Sequence, residues 1–106
     1  MPAVIAGYAR SPFTPAKKGE LARTRPDDIA ATVINGLIEE TGVDPSLIED
    51  LIVGTAFPEA EQGFNVARMI TFLTGLPETV PGVTINRFCG SSMQAIHDAV
   101  GRISMA

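Results

Sequence analysis

Thr84-Ile85-Asn86-Arg87-Phe88-Cys89-Gly90-Ser91-Ser92-Met93 is the stretch from which the fold of this chain is read. Its upstream part, Gly82-Val83-Thr84-Ile85-Asn86, is short and rich in β-branched residues, which suits a strand. From about Gly90 the apolar period changes. Met93, Ile96, Val100 and Ile103 recur at helical spacing, and Ala95 and Ala99 widen that face. A strand therefore runs straight into a helix, with the only cysteine of the chain in the turn between them.

Outward from this junction, helices and strands alternate. Leu51-Ile52-Val53-Gly54 is a second short apolar strand, and Ala56 to Gly63 is loop. Asn65 to Thr74 is predicted helical, with Val66, Met69, Ile70 and Leu73 on one side and Gly75 and Pro77 as stop signals. Pro26-Asp27-Asp28 opens an earlier helix, because proline suits the first turn and carboxylates suit its positive end. Ile29, Val33, Leu37 and Ile38 give that helix its apolar face, and Gly42 closes it. Asp44-Pro45 starts a short helical turn through about Ile48. At the N-terminus, Ala3-Val4-Ile5-Ala6-Gly7-Tyr8-Ala9 does not alternate with polar residues and is predicted to be a strand buried on both faces. Arg10 to Thr24 follows as loop.

The predicted order is β-α-β-α-β-α, the signature of an α/β fold with a mainly parallel sheet and right-handed crossovers. Neither an internal repeat nor a low-complexity segment interrupts it. A chain of 106 residues has room for one small domain or part of a larger one. Its charged fraction is 19%, against about 25% in typical soluble domains. Three strands with 45% hydrophobic residues therefore read as an unfinished sheet, part of whose surface is covered by more chain or by a partner.

Composition removes several classes of function. Twelve acidic residues against eight basic give a net charge of −4, the wrong sign for a nucleic-acid domain. There is no Trp and one Tyr, so no base-stacking platform is expected. One cysteine cannot form an internal disulfide, which points to a reducing compartment, the cytoplasm by default. No secretory signal is visible, and no apolar run approaches the roughly 20 residues of a membrane span. Glycine-rich phosphate loops are absent. Glu59 and Glu61 have no His or Cys neighbours to complete a metal site. Glu39-Glu40 and Glu49-Asp50 read as solvated charges, and Met69 and Met93 as core.

Chemistry concentrates at Cys89. Open α/β sheets place ligands beyond the carboxyl ends of their strands. A helix N-terminus there offers unpaired N–H groups and a positive end. Both favour a thiolate and the oxyanion formed when it attacks a carbonyl. Gly90 leaves room for a substrate. The competing reading is that Cys89 is a small buried hydrophobe, the usual fate of a lone cysteine. His97, the only histidine, fails as its base: eight residues along the same helix is about 12 Å. It reads as an exposed or interface histidine beside Asp98. Arg87 could meet a phosphate or carboxylate, although a structural ion pair is the simpler reading.

Asn86-Arg87-Phe88-Cys89-Gly90-Ser91-Ser92-Met93-Gln94-Ala95-Ile96-His97-Asp98-Ala99 closely resembles the active-site cysteine segment of thiolases, in particular the 3-ketoacyl-CoA thiolases of fatty-acid β-oxidation. Ala3 to Pro12 resembles the family's first strand and its Arg-[ST]-Pro turn, and Arg25-Pro26-Asp27-Asp28 the start of its first helix. Gly63-Phe64-Asn65-Val66-Ala67-Arg68 is similar to its G-x-N-x-A-R segment, and Gly75 to Pro81 to the approach to the cysteine strand. Two departures stand out. Phe88 replaces a smaller aliphatic residue, and Thr14-Pro15-Ala16-Lys17-Lys18 replaces a glycine-rich loop.

The resemblance implies that residues 1–106 are a partial, truncated N-terminal thiolase domain, with the cysteine helix on the interior side. It implies a homodimer or homotetramer, with Gly63 to Arg68 near the dimer interface. Cys89 would carry the acyl group as a thioester, and its backbone N–H would be one oxyanion donor. Coenzyme A would be a co-substrate, with no permanently bound cofactor. A histidine base and a second cysteine would come from elsewhere, so the chain alone is expected to be inactive. Two alternatives remain at this stage: a non-catalytic thiolase-like binding or scaffold protein, and a condensing enzyme of the ketoacyl-synthase kind.

Overall fold

The computed structural model describes residues 2–106. Helix α1 spans Pro26–Thr41, strand β1 Ile52–Gly54, helix α2 Val66–Thr71, strand β2 Val83–Ile85 and helix α3 Ser91–Met105. Short 3-10 turns at Pro45–Leu47 and Ala60–Gln62 punctuate the connections. The two strands pair in parallel, with Ile52 opposite Val83, Val53 opposite Thr84 and Gly54 opposite Ile85.

Side chains alternate across a strand, so each rung of this ladder faces one side. The Val53–Thr84 rung faces α2: Val53 packs against Ala31, Val66 and Ile70, and the Thr84 hydroxyl accepts the Ala67 N–H at 3.0 Å. The Gly54–Ile85 rung faces α3. A Cβ built on Gly54 would lie 2.5 Å from the Ser91 carbonyl carbon and from the Ser92 nitrogen. The sheet is therefore covered by α1 and α2 on one side and by α3 on the other.

Local sequence accounts for the ends of α1. Pro26 occupies the first turn, and Gly42 closes the helix in a left-handed conformation at φ 68°. Asp27, buried at the N-terminus, accepts the Asp28 N–H at 3.0 Å and grips the Arg25 guanidinium through two contacts of 3.1 Å. That grip holds the Asp27 carboxyl below the ordinary aspartate range. Asp44 caps the next turn by accepting the Ser46 N–H at 2.9 Å, which lowers its own pKa too.

Two expectations need correction. Ala3–Ala9 is not a strand. It pairs with neither β1 nor β2, and Val4, Ile5 and Tyr8 are more than four-fifths exposed. A strand requires a partner for its backbone groups, whatever its composition. The run instead crosses α1, where a Cβ on Gly7 would meet Thr41 at 2.7 Å and Leu37 at 3.3 Å. The observed order is thus α-β-α-β-α. Second, the large apolar stripe of α1 is only half-buried. The face packed on the core is Ala30, Ala31 and Ile34, whose small members let α2 come close. The apolar face of α3 is uncovered, as the unfinished sheet implies: Ser91 and Ala95 turn inward, while Met93, Ile96, Val100 and Ile103 are 67%, 53%, 43% and 40% exposed, so Met93 is not core. The close contact at Gly54 admits only small side chains on the inner face.

Asp50 is not a free surface charge either. It pairs with Arg102 of α3 and accepts the N–H groups of Leu51 and Gly82 at 2.9 and 3.3 Å, tying together the starts of both strands. Met69 is half-exposed rather than core. No helix among the described residues is long and apolar enough to cross a membrane.

Two outcomes are expected. Gly54→Ala should cost about 1–3 kcal/mol in urea unfolding, since backbone rather than a movable side chain fills the space. The stability contributed by Asp27 should be fully present above the ordinary aspartate value of about 4 and lost as pH falls through the depressed native value. The difference in urea midpoint between wild type and Asp27→Asn, followed from pH 7 to 2, should therefore close in acid.

Candidate active site

The turn between β2 and α3 is built from four consecutive constraints. The Asn86 carboxamide oxygen accepts the Phe88 N–H at 2.8 Å, an Asx turn that bends the chain as the strand ends. Phe88 is left-handed, at φ 48°, which is costly for a residue with a side chain. Gly90 and Ser91 then donate their N–H groups to the carbonyls of Arg87 and Phe88 at 3.0 and 3.1 Å. Finally, the buried Ser91 hydroxyl accepts the Arg87 N–H at 2.8 Å and donates to the Phe88 carbonyl at 2.6 Å.

Cys89 stands at the top of this turn and is exposed. The buried-hydrophobe reading is overturned: the turn presents the thiol to solvent at the carboxyl end of β2, just ahead of α3. Among the described residues the Cys89 backbone N–H has no acceptor, although its neighbours on both sides are paired. An exposed sulfur and a free N–H on one residue are what an acyl-transfer site needs for attack and for the charge that follows.

No base stands beside the sulfur in these residues. His97 is exposed on α3, well along the helix from Cys89. Arg87 does not form the expected ion pair. It donates to the Gln94 side-chain oxygen at 2.8 Å, and Gln94 donates to Asp98 at 2.8 Å. Glu59 and Glu61 gather no ligand set: the described residues contain no group of three or more His, Cys, Asp and Glu able to hold a metal.

The Gly63–Arg68 segment braces β2 from behind. Asn65 donates to the Gly82 carbonyl at 2.9 Å and accepts the Thr84 hydroxyl at 2.6 Å. Arg68 donates to the Glu78 and Val80 carbonyls at 3.1 and 2.6 Å, with its guanidinium 4.4 Å above the Phe72 ring. Phe64, left-handed at φ 56°, is fully exposed, and Phe57 and Phe72 also stand largely in solvent.

Sequence reasoning located Cys89 but missed the residues that shape its turn. Asn86 was legible as an Asx-turn former two residues before the bend, and Gly54 as a lone glycine ending an apolar strand. Nothing in the sequence marked Ser91 as buried.

Residues 3–106 match the family described as the thiolase N-terminal domain. The chain is 48% identical over 103 residues to a 3-ketoacyl-CoA thiolase of Bacillus subtilis (strain 168), covering 97% of this chain and 26% of that protein. It is 48% identical over 101 residues to the 3-ketoacyl-CoA thiolase of Saccharophagus degradans, covering 94% of this chain and 26% of that protein. A solved structure, the acetyl-CoA acetyltransferase from Syntrophomonas wolfei, superimposes with a TM-score of 0.81 at 36% identity, over 94% of this chain and 25% of that one. The chain thus spans about a quarter of the length of the curated relatives it matches.

Iodoacetamide should alkylate Cys89 several-fold faster than a free cysteine peptide at equal pH, because the thiol is exposed at a helix N-terminus. His97→Ala should leave that rate unchanged. A rate no higher than the peptide's, or one that follows His97, would contradict this account of the site.

Proposed function

This chain belongs to the thiolase family, and on that premise we propose that Cys89 is the nucleophile of an acetyl-CoA C-acyltransferase acting on 3-ketoacyl-CoA thioesters. The observation that carries the reading is the exposed Cys89 with its own unpaired N–H in the turn before α3. The thiolate attacks the keto carbon, and the carbonyl electrons move to oxygen, facing the Cys89 N–H. As the carbonyl re-forms, the bond between the keto carbon and its neighbour breaks. The two-carbon fragment leaves as an enolate that takes up a proton to become acetyl-CoA. The shortened acyl group stays on sulfur as a thioester until the thiol of a second coenzyme A, losing its proton, attacks and carries it away. Run in reverse, the same steps are a condensation.

Two proton transfers in this scheme need groups near the sulfur. His97 is too far along α3, so the proposal places the base and the acid, a histidine and a second cysteine, on residues other than these 106. Coenzyme A enters as co-substrate, with no permanently bound cofactor. The exposed face of α3 supports an interior position for that helix in the whole protein, and the exposed Phe57, Phe64 and Phe72 support association into a homodimer or homotetramer. A cytoplasmic location, in keeping with a single unpaired cysteine, completes the proposal. No specific observation favours a scaffold or a ketoacyl-synthase reading.

Two assays test this. In a full-length thiolase carrying these 106 residues, Cys89→Ser should lower kcat for thiolysis about a thousandfold or more. The 106-residue chain alone should show no turnover. Activity surviving in the Ser variant would refute the nucleophile, and turnover by the chain alone would refute the placement of base and acid elsewhere.

A further inference from the structure

Ser91 is the only buried side chain in the turn that carries Cys89, and its hydroxyl makes two hydrogen bonds there. One accepts the Arg87 N–H at 2.8 Å. The other donates to the Phe88 carbonyl at 2.6 Å, an oxygen that also receives the Ser91 N–H at 3.1 Å. The Phe88 carbonyl and the Cys89 N–H belong to one peptide unit. That unit is planar and, like the other peptides of the described residues, trans. In a trans peptide the C=O and N–H point in opposite directions. Two donors holding the carbonyl toward the first turn of α3 therefore fix the N–H pointing away from it, where it has no acceptor among the described residues. A carbonyl that accepts two hydrogen bonds also polarises its peptide, which makes the N–H at the other end a better donor.

The same hydroxyl bears on the strain of the turn. Phe88 is left-handed at φ 48°, and Ser91 bonds the N–H of the residue before it and the carbonyl of Phe88 itself. Without the hydroxyl, Phe88 could relax toward ordinary backbone angles and rotate the next peptide with it.

We propose that Ser91 is a positioning residue of the acyl-transfer site: its hydroxyl orients and polarises the Phe88–Cys89 peptide so that the Cys89 N–H faces the oxyanion. The proposal rests on the reading of Cys89 as an acyl-accepting nucleophile. It differs from a purely structural role because it concerns one kind of reaction at the sulfur. Alkylation by iodoacetamide displaces iodide and forms no oxyanion, so it reports only the thiolate. Acetylation by acetyl-CoA passes through a tetrahedral oxyanion before the bond to the CoA sulfur breaks and the CoA thiolate leaves to take a proton from water.

The experiment compares both rates at one pH, by mass spectrometry, for a full-length thiolase carrying these 106 residues as its wild-type chain and for a linear peptide of residues 86–92. The acetylation-to-alkylation ratio of the wild-type chain should exceed that of the peptide by about tenfold or more. Ser91→Ala should return it to the peptide's value, and Ser91→Thr, which keeps a hydroxyl, should hold it near wild type. Where Ser91→Ala impairs folding, the pair Phe88→Gly and Phe88→Gly/Ser91→Ala makes the same comparison with the left-handed strain removed. A wild-type ratio equal to the peptide's would refute the acyl-transfer reading and this inference together. A raised wild-type ratio that Ser91→Ala leaves unchanged would refute the inference alone.

Discussion

The approach of Gly54 to the first turn of α3 is the constraint on which the rest of this structure depends. The end of β1 and the start of α3 meet backbone to backbone, with no room between them for a methyl group. From that contact follows which face of α3 turns inward: Ser91 and Ala95 fit the narrow space, and the larger apolar side chains do not. From it also follows the height of the turn above the sheet. β2 ends beside β1 at Ile85, and the carbonyl of Ile85 takes the Thr55 N–H at 3.0 Å, extending the ladder one step past Gly54. Six residues beyond Ile85 the chain has passed through Cys89 and begun the helix at Ser91.

A turn this short can be closed only with help. One residue must adopt a left-handed conformation, and here it is Phe88 rather than a glycine. Two polar side chains offset that cost, Asn86 from the strand side and Ser91 from the helix side. Behind them Asn65, Thr84 and Ala67 link β2 to the start of α2, so the strand that feeds the turn is itself held. These hydrogen bonds tie down the turn on both sides while leaving the sulfur exposed and the Cys89 N–H without an acceptor among the described residues.

What could be read in the sequence was what neighbouring residues decide among themselves. Pro26 and Gly42 marked the ends of α1 to the residue, and Asp44-Pro45 marked a turn that forms as expected. The change of period after Ile85 located the strand–helix junction and Cys89 within it. What could not be read depended on distant partners. Ala3–Ala9 has the composition of a strand, but strand pairing is a property of two segments, and its neighbour here is α1. The apolar stripe of α1 gave the right helix but not its inner face, because alanine wins where helices approach closely. Asp50 looked like a surface charge, since nothing near it in sequence announces Arg102.

The parallel pairing of Ile52 with Val83 has a consequence for the order in which the molecule is assembled. Closing a loop of roughly thirty residues costs on the order of 3 kcal/mol in chain entropy before any ladder bond repays it. The ends of α1 are set by local residues, Pro26 and Gly42, and need no such closure. The cradle around the thiol does, because it needs both strands aligned and α3 seated on Gly54. The turn that presents the sulfur is therefore completed last, when long-range pairing is in place. The hydrogen-bonded turn around Cys89 is thus a product of long-range pairing rather than of local sequence.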